Sequence, residues 1–379
     1  MPEPSRTEIG REHARRLFHE LLRETVSRKA SDLFLKTNAP PGLRVRGEVV
    51  FMEAEPLGEP LMEQLAAVIL GSKVPQFQEA GEVDLAYEME GIGRFRVNIF
   101  RQRGKTSAAL RHIPLDIPSF EALSLPAKQL VHLAQQTRGI ILVTGVTGSG
   151  KSTTLASIVD YMNEHFGRHI ITIEDPIEFV HQDKKCLIEQ REVGLDTTSF
   201  QEALRHAVRQ SPDVILIGEM RDRITIETAL NAAEIGHLVL STLHTSTAVQ
   251  TLERMVSYFQ PHQHDLIRTQ VSNTIQGVLS QRLLKRADDQ SRIPAVEVMM
   301  RSPTNCDLIA KNQVLRLRGA MQEDAYYGSQ TYNQALVALC REGAIKVEEA
   351  LAASDKPHEL KNALQGISTG ASSEVADGR

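Results

Sequence analysis

Tryptophan is absent from the 379 residues, and basic residues do not outnumber acidic ones. A protein that tracks single-stranded nucleic acid needs aromatic stacking platforms beside a positively charged groove. A chain with no Trp and a formal net charge of -5 supplies neither in bulk, which argues against a dedicated polyanion binder and leaves room only for a local basic patch. Cysteine is also scarce. Cys186, Cys306 and Cys340 are odd in number and widely spaced, with no Cys-x-x-Cys, so neither a disulfide framework nor a zinc site is suggested and the cytosol fits best. The opening Met-Pro-Glu-Pro-Ser-Arg-Thr-Glu lacks the apolar core of a signal peptide. No run approaches the roughly 18 apolar residues of a membrane span, so any membrane role is expected to come through partners. What remains is ordinary globular material, 41% hydrophobic and 24% charged, long enough for two or three domains.

One stretch organises the chain. Gly145-Val146-Thr147-Gly148-Ser149-Gly150-Lys151-Ser152 follows the apolar run Gly139 to Val143 and precedes a helix-favouring segment from Thr153 to Phe166. The spacing Gly-x4-Gly-Lys-Ser between a strand and a helix is that of a phosphate-binding loop. Its glycines let successive N–H groups turn inward onto phosphate oxygens, and the helix start adds partial positive charge. Lys151 is then expected to reach the β- and γ-phosphates of ATP and Ser152 to hold Mg²⁺, which makes Gly145, Thr147, Gly148, Ser149, Gly150, Lys151, Ser152 and Thr153 the nucleotide-binding candidates.

Before this loop the sequence reads as a small α+β domain over residues 1–115. An amphipathic helix at 9–29 places Leu17, Phe18, Leu21, Leu22 and Val26 on one face; strands are expected at 31–36 and 43–51, the latter a hairpin around Gly47; a helix is expected at 61–70; and strands follow from Val83, at 94–103 and at 105–112. Pro114 and Pro118 mark a linker, 116–126. A parallel α/β core is expected over 127–345, with strands at 139–144, 169–174, 214–217, 238–242 and 295–299 and helices at 152–166, 200–210, 224–235, 248–258 and about 266–279. Residues 346–379 complete the chain as a helical extension, the segment 330–364 being helical in pattern, with a small, polar tail from Ser368.

Carboxylates, histidines and arginines gather where phosphoryl chemistry needs them. The strand ending at Glu174 runs into Glu174-Asp175-Pro176-Ile177-Glu178, three acids in five residues. Alone this is a solvated acidic turn; beside a phosphate loop it offers an acid to orient water and acids for a metal shell. The strand Val214 to Ile217 ends in Gly218-Glu219-Met220-Arg221-Asp222, placing Glu219 where a Walker-B acid, more familiarly Asp, supports Mg²⁺. His237 and His244 flank the next strand; such residues are either packed at its edges or placed to sense a γ-phosphate. Arg94, Arg96, Arg101, Arg103 and Arg111 crowd the last strands of the first domain, as a solvated face or as the source of an arginine finger.

Together the phosphate loop, Ile173-Glu174-Asp175-Pro176-Ile177-Glu178-Phe179, Gln190-Arg191-Glu192-Val193, Gly218-Glu219-Met220-Arg221-Asp222 and the segment Gly236 to Thr245 resemble the type IV pilus retraction ATPases, the PilT/PilU family of the secretion-ATPase superfamily, over about residues 20–365. The resemblance implies a PAS-like α+β domain joined to a RecA-like ATPase domain, assembled as a homo-hexamer. It implies Glu178 as the acid that polarises water, Glu219 on Mg²⁺, His237 and His244 as a histidine box, and Arg96 and Arg111 as the arginines that complete the nucleotide site. It also implies a PilT-type sister ATPase and an inner-membrane pilus platform protein as partners of a cytoplasmic protein peripheral to the membrane, with no nucleic acid. One motif departs: where motors of the PilT type carry Ala-Ile-Arg-Asn-Leu-Ile, Thr304-Asn305-Cys306-Asp307-Leu308-Ile309 keeps only the end, and the following Ser329-Gln330-Thr331-Tyr332-Asn333-Gln334-Ala335-Leu336 with the extended tail resembles the PilU type. Two other readings stay open at this point, a RecA-like nucleic-acid motor and a nucleotide-gated scaffold for a sister ATPase.

Overall fold

The computed structural model describes residues 6–45, 47–113, 116–288 and 291–366. Pro114, Leu115 and the tail from Ser368 lie outside the described residues. The chain divides into two compact units, Met1–Asp116 with Glu178–Val180, and Ile117–Ile177 with His181–Arg379.

In the first unit, helix α1 (Arg6–Ser27) precedes strands β1 (Asp32–Lys36), β2 (Gly42–Val45) and β3 (Glu48–Phe51). Helices α2 (Glu59–Leu70) and α3 (Val74–Ala80) then lead into β4 (Glu82–Met89), β5 (Gly93–Gln102) and β6 (Lys105–Ile113). The strands form one antiparallel sheet in the order β3-β2-β1-β6-β5-β4. Period-two alternation sends Leu33, Leu35, Phe95, Val97, Ile99 and Leu110 to one face, where they pack with Phe18, Leu22, Met62 and Leu65 of α1 and α2 in a single core. The opposite face carries a polar row in register across four strands: Arg96 of β5 opposes Arg111 of β6, which opposes Asp32 of β1, which opposes Arg44 of β2.

The second unit starts with a segment free of regular structure at 117–126, whose Phe120 and Leu125 are nevertheless buried in this unit's core. Helix α4 (Ala127–Ala134) leads into β7 (Gly139–Thr144), α5 (Lys151–His165), β8 (His169–Glu174), β9 (Leu187–Glu192), α6 (Phe200–Ala207), β10 (Val214–Ile217), α7 (Arg223–Glu234) and β11 (Leu238–Leu243). Next come α8 (Ala248–Ser257), α9 (His264–Thr274), β12 (Ile275–Lys285), β13 (Arg292–Met300) and helices α10 (Pro303–Ala310), α11 (Leu317–Glu323), α12 (Tyr332–Arg341), α13 (Val347–Ala353) and α14 (Pro357–Leu364). The sheet order is β13-β12-β7-β11-β10-β8-β9. Every pairing is parallel except β12 with β13. Central strands β7, β10 and β11 are buried along their whole length because helices cover both faces, which is why they read as continuous apolar runs rather than alternating ones.

Two expectations need correction. The helix expected over about 266–279 ends at Thr274, and Ile275 begins β12. The spacing of Ile267, Val271, Ile275 and Val278 satisfies a helical repeat, but β7 would otherwise expose a buried edge of N–H and C=O groups, and pairing with β12 satisfies it. Strand β9 was not anticipated: Leu-Ile-Glu-Gln-Arg-Glu is polar, as suits a sheet edge. The helices α12 to α14 form a small core of their own, in which Tyr332, Leu336 and Leu360 pack on Leu284, Ile293 and Ala295 of the β12–β13 hairpin.

Candidate functional site

In parallel sheets the carboxyl ends of the strands share one edge, and here the loops after β7, β10 and β11 carry the phosphate loop, Glu219 and His244, while β8 ends in Glu174. The phosphate loop follows β7. Gly145 has φ +146°, and a Cβ there would run into the Ser149 hydroxyl and the carbonyl of Gln281. Only glycine fits, for both backbone and space. Gly150, also at positive φ, is the N-cap of α5, so Lys151, Ser152 and Thr153 make up its first turn with the N–H groups a helix start leaves free. Ser149 is buried, and its Oγ has no hydrogen-bond partner among the described residues. Lys151 lies over the loop, its Nζ donating to Gly145 O at 2.9 Å and to Val146 O at 3.1 Å.

Strand β12 backs the loop. Ser280 is in register with Thr144, their hydroxyls 2.9 Å apart, and Gln281 Nε2 donates to Thr154 Oγ1 of α5 at 2.9 Å. Sequence reasoning missed both residues because the helix expected over about 266–279 hid the start of β12 and no strand was expected after it.

Glu219 follows β10. Its carboxylate meets two partners: Arg221 Nε pairs with one oxygen and His244 Nε2 lies 3.1 Å from the other. His244 comes from the loop after β11, the strand between β7 and β10, so it stands between the phosphate loop and Glu219 along the sheet edge. Both strand ends are fixed by side chains, Thr242 Oγ1 to Gly218 O and Ser241 Oγ to Ile217 O, each at 2.7 Å. Asp222 caps α7, accepting from Thr225 N at 2.9 Å and Thr225 Oγ1 at 2.7 Å. Burial tends to raise its pKa, but those bonds and one from Gln201 outweigh it and hold the carboxyl below the usual range.

After β8, Glu174 is engaged inside the unit, accepting from Thr172 Oγ1 at 2.7 Å and Gln190 Nε2 at 3.2 Å. Glu178, four residues on, is exposed. Close by in sequence, His181 is partly buried, and its buried Nδ1 has no partner among the described residues; burial drives its pKa down to about 4.

The two histidines separate. His237 precedes β11, its backbone carbonyl accepting from Gly139 N at 3.0 Å and its Nδ1 lying 3.0 Å from Ala232 O. A six-residue strand spans roughly 20 Å, so His237 sits at the amino edge of the sheet and is not brought to the phosphate loop of its own unit. The arginines are placed in the first unit. Arg111 Nε donates to Asp32 at 2.9 Å, Arg44 Nε lies 3.3 Å from the other Asp32 oxygen, and Arg96 is exposed beside Arg111.

Residues 8–373 match the Type II/IV secretion system protein family. The chain is 39% identical over 372 residues to the type IV pilus ATPase PilU of Pseudomonas aeruginosa, covering 95% of this chain and 97% of that one. It is 43% identical over 332 residues to the pilus retraction ATPase PilT of the same organism, covering 87% and 96%. The crystal structure of the pilus retraction motor PilT with bound ADP matches with a TM-score of 0.84 at 45% identity, over 90% of this chain and 98% of that one. On this coverage, and with a phosphate loop, an acid and a histidine on one edge of the α/β sheet that follows a small α+β domain in sequence, the chain belongs to the Type II/IV secretion system protein family, among the pilus retraction ATPases.

Proposed function

We propose that this chain is an ATP hydrolase that works as a ring of six copies and converts turnover into type IV pilus retraction, as an accessory to a sister ATPase of the PilT type. The observation that carries the ATPase reading is the convergence of the phosphate loop, Glu219 and His244 at one sheet edge. The loop N–H groups and the start of α5 take the phosphates, and Lys151 exchanges its bonds to Gly145 O and Val146 O for the β- and γ-oxygens. Mg²⁺ in such sites binds through one or two protein oxygens plus substrate phosphates rather than in a cage of acids, and the Ser152 hydroxyl with Glu219 is a donor set of that kind. When bound, the ion neutralises charge on the phosphate oxygens. Glu178 orients the attacking water. His244, shared with Glu219, is placed to exchange that partner for a γ-phosphate oxygen and so to report which nucleotide is present. His237, at the far edge, takes no part in the chemistry of its own subunit's site. Arg111 or Arg96 completes the site after closure or from a neighbouring copy.

The accessory role rests on α10. Its cap Ser302 and buried Leu308 and Ile309 keep the helix, but a buried Asn305, bonded to Met300 O at 2.9 Å, and Cys306 stand where PilT-type motors carry Ile and Arg. No helix among the described residues is long and apolar enough to cross a membrane. We therefore place the ring at the cytoplasmic face, held there through an inner-membrane pilus platform protein. Single-pilus retraction in cells tests this: the chain is expected to raise retraction force or frequency when a PilT-type ATPase is present and to give no retraction alone. Full retraction by this chain in cells lacking every other retraction ATPase would overturn the accessory role.

A further inference from the structure

Glu297, on β13, is only 7% exposed and no part of the nucleotide chemistry above calls on it. Its register neighbour on β12 is Ser280, itself in register with Thr144, so Thr144, Ser280 and Glu297 form a polar row through three adjacent strands, ending at the base of the phosphate loop. A carboxylate buried this deeply is tolerated only where it is paired or hydrogen-bonded. Glu297 takes its bonds from two helix starts: it accepts from Ala248 N, the first residue of α8, at 2.8 Å, and from the backbone N–H of Tyr332, the first residue of α12. Helix starts favour negative charge, so one carboxylate caps both. Burial pushes its carboxyl up, while these two N–H groups, with Arg318 and Arg282, pull it back.

Each capped helix leads somewhere. The turn into α8 carries His244, and the three residues between are stapled to the helix: Thr245 Oγ1 lies 2.7 Å from Thr251 Oγ1, Ser246 N donates to Gln250 Oε1 at 3.2 Å, and Thr247 caps Gln250 N. Any shift of the α8 start therefore moves His244 against Glu219. Helix α12 opens the C-terminal helical group, which is tied to the same hairpin. Arg282 of β12 donates to both oxygens of Asp355 at 2.9 and 2.7 Å and stacks 4.3 Å from the Tyr332 ring centroid, and Arg318 reaches Glu359 of α14 at 2.8 Å.

We propose that Glu297 is a positioning residue that couples the C-terminal helices α12 to α14 to His244, so that whatever loads those helices sets the rate of ATP turnover. The coupling is reciprocal: a nucleotide that moves His244 shifts the start of α12 by the same linkage. The proposal rests on His244 serving ATP turnover, so its test includes a readout that does not need hydrolysis.

The experiment uses the full chain with Glu297→Gln, Asp355→Asn and the double variant. Glu297→Gln keeps the side-chain volume but replaces one acceptor oxygen by a donor facing an N–H; Asp355→Asn weakens the exposed tie to Arg282. Each single variant is expected to lower kcat by on the order of tenfold to a hundredfold, the cost of a slightly misplaced catalytic group, with KM changed less than about twofold. The double variant is expected to be no slower than Glu297→Gln alone, because the path is already cut. Amide hydrogen exchange supplies the independent readout: Asp355→Asn is expected to speed exchange over residues 244–252 in the parent chain but not in Glu297→Gln. Multiplicative losses of kcat in the double variant, or faster exchange at 244–252 whether or not Glu297 is present, would overturn the coupling. A parent chain that shows the exchange pattern without hydrolysing ATP would refute the proposed activity and leave the coupling standing.

Discussion

Gly145 gives the sharpest test of the phosphate loop's construction, because two loop glycines with positive φ differ in what surrounds them. Gly145 has φ +146° and a Cβ there meets the Ser149 hydroxyl and a backbone carbonyl of β12; Gly148 has φ +78° and its Cβ would meet nothing within 4 Å. Alanine at either position pays the left-handed backbone cost of about 1–2 kcal/mol. At Gly145 the collision adds an overpacking cost of about 1–3 kcal/mol, since the Gln281 carbonyl belongs to a paired strand and cannot swing away. Gly145→Ala is therefore expected to destabilise the second unit by about 2–5 kcal/mol and Gly148→Ala by about 1–2 kcal/mol. Urea unfolding of both variants, followed by a probe in the second unit, measures the difference. Titration with a fluorescent ATP analogue should show the larger loss of binding in Gly145→Ala. Equal destabilisation by the two substitutions would refute the argument that β12 shapes the loop from behind.

Three further outcomes are expected. His181 is neutral in the folded chain down to about pH 4, whereas the unfolded chain protonates it near pH 6.5; the unfolded state thus binds more protons between these values, and about 3 kcal/mol of stability is lost as pH falls from 6.5 to 4. His181→Gln should flatten that slope in urea titrations at pH 7 and pH 4.5, and an unchanged slope would clear His181 of the effect. His244→Ala is expected to lower kcat by about 10²-fold with nucleotide affinity little changed, and Glu219→Gln to shift the Mg²⁺ dependence as well; normal turnover in both would make the pair structural. Arg111→Ala should cost about 10³-fold or more in kcat if it is the finger, against at most about 1 kcal/mol of stability for its exposed pair with Asp32. Mixed rings with Lys151→Ala subunits that regain activity would show that the arginine serves a neighbour's site.

The phosphate loop was legible because its chemistry fixes both residue types and spacing, and the flanking strand and helix could be read from a continuous apolar run and a helix-favouring segment. The acid after β10 was legible for the same reason: Val-Ile-Leu-Ile ending in Gly-Glu describes a buried central strand with a polar end. His237 and His244 flank one strand in the sequence, and the structure shows that strand carrying them to opposite edges of the sheet. Strand β12 was hidden because Ile267, Val271, Ile275 and Val278 keep a helical repeat across the point where α9 ends, and with it went Ser280, Gln281 and the polar row that ends at Glu297. The approach of His244 to Glu219 needed the register of β10 beside β11, which no local pattern encodes.

The measurement that bears most directly on the central claim is steady-state phosphate release by the purified chain with MgATP, compared with Lys151→Ala, whose side chain lies over the loop with little core to lose. The parent is expected to turn over ATP, and Lys151→Ala to lose that turnover while keeping the parent's unfolding midpoint. Undiminished hydrolysis by Lys151→Ala would contradict the assignment of the site.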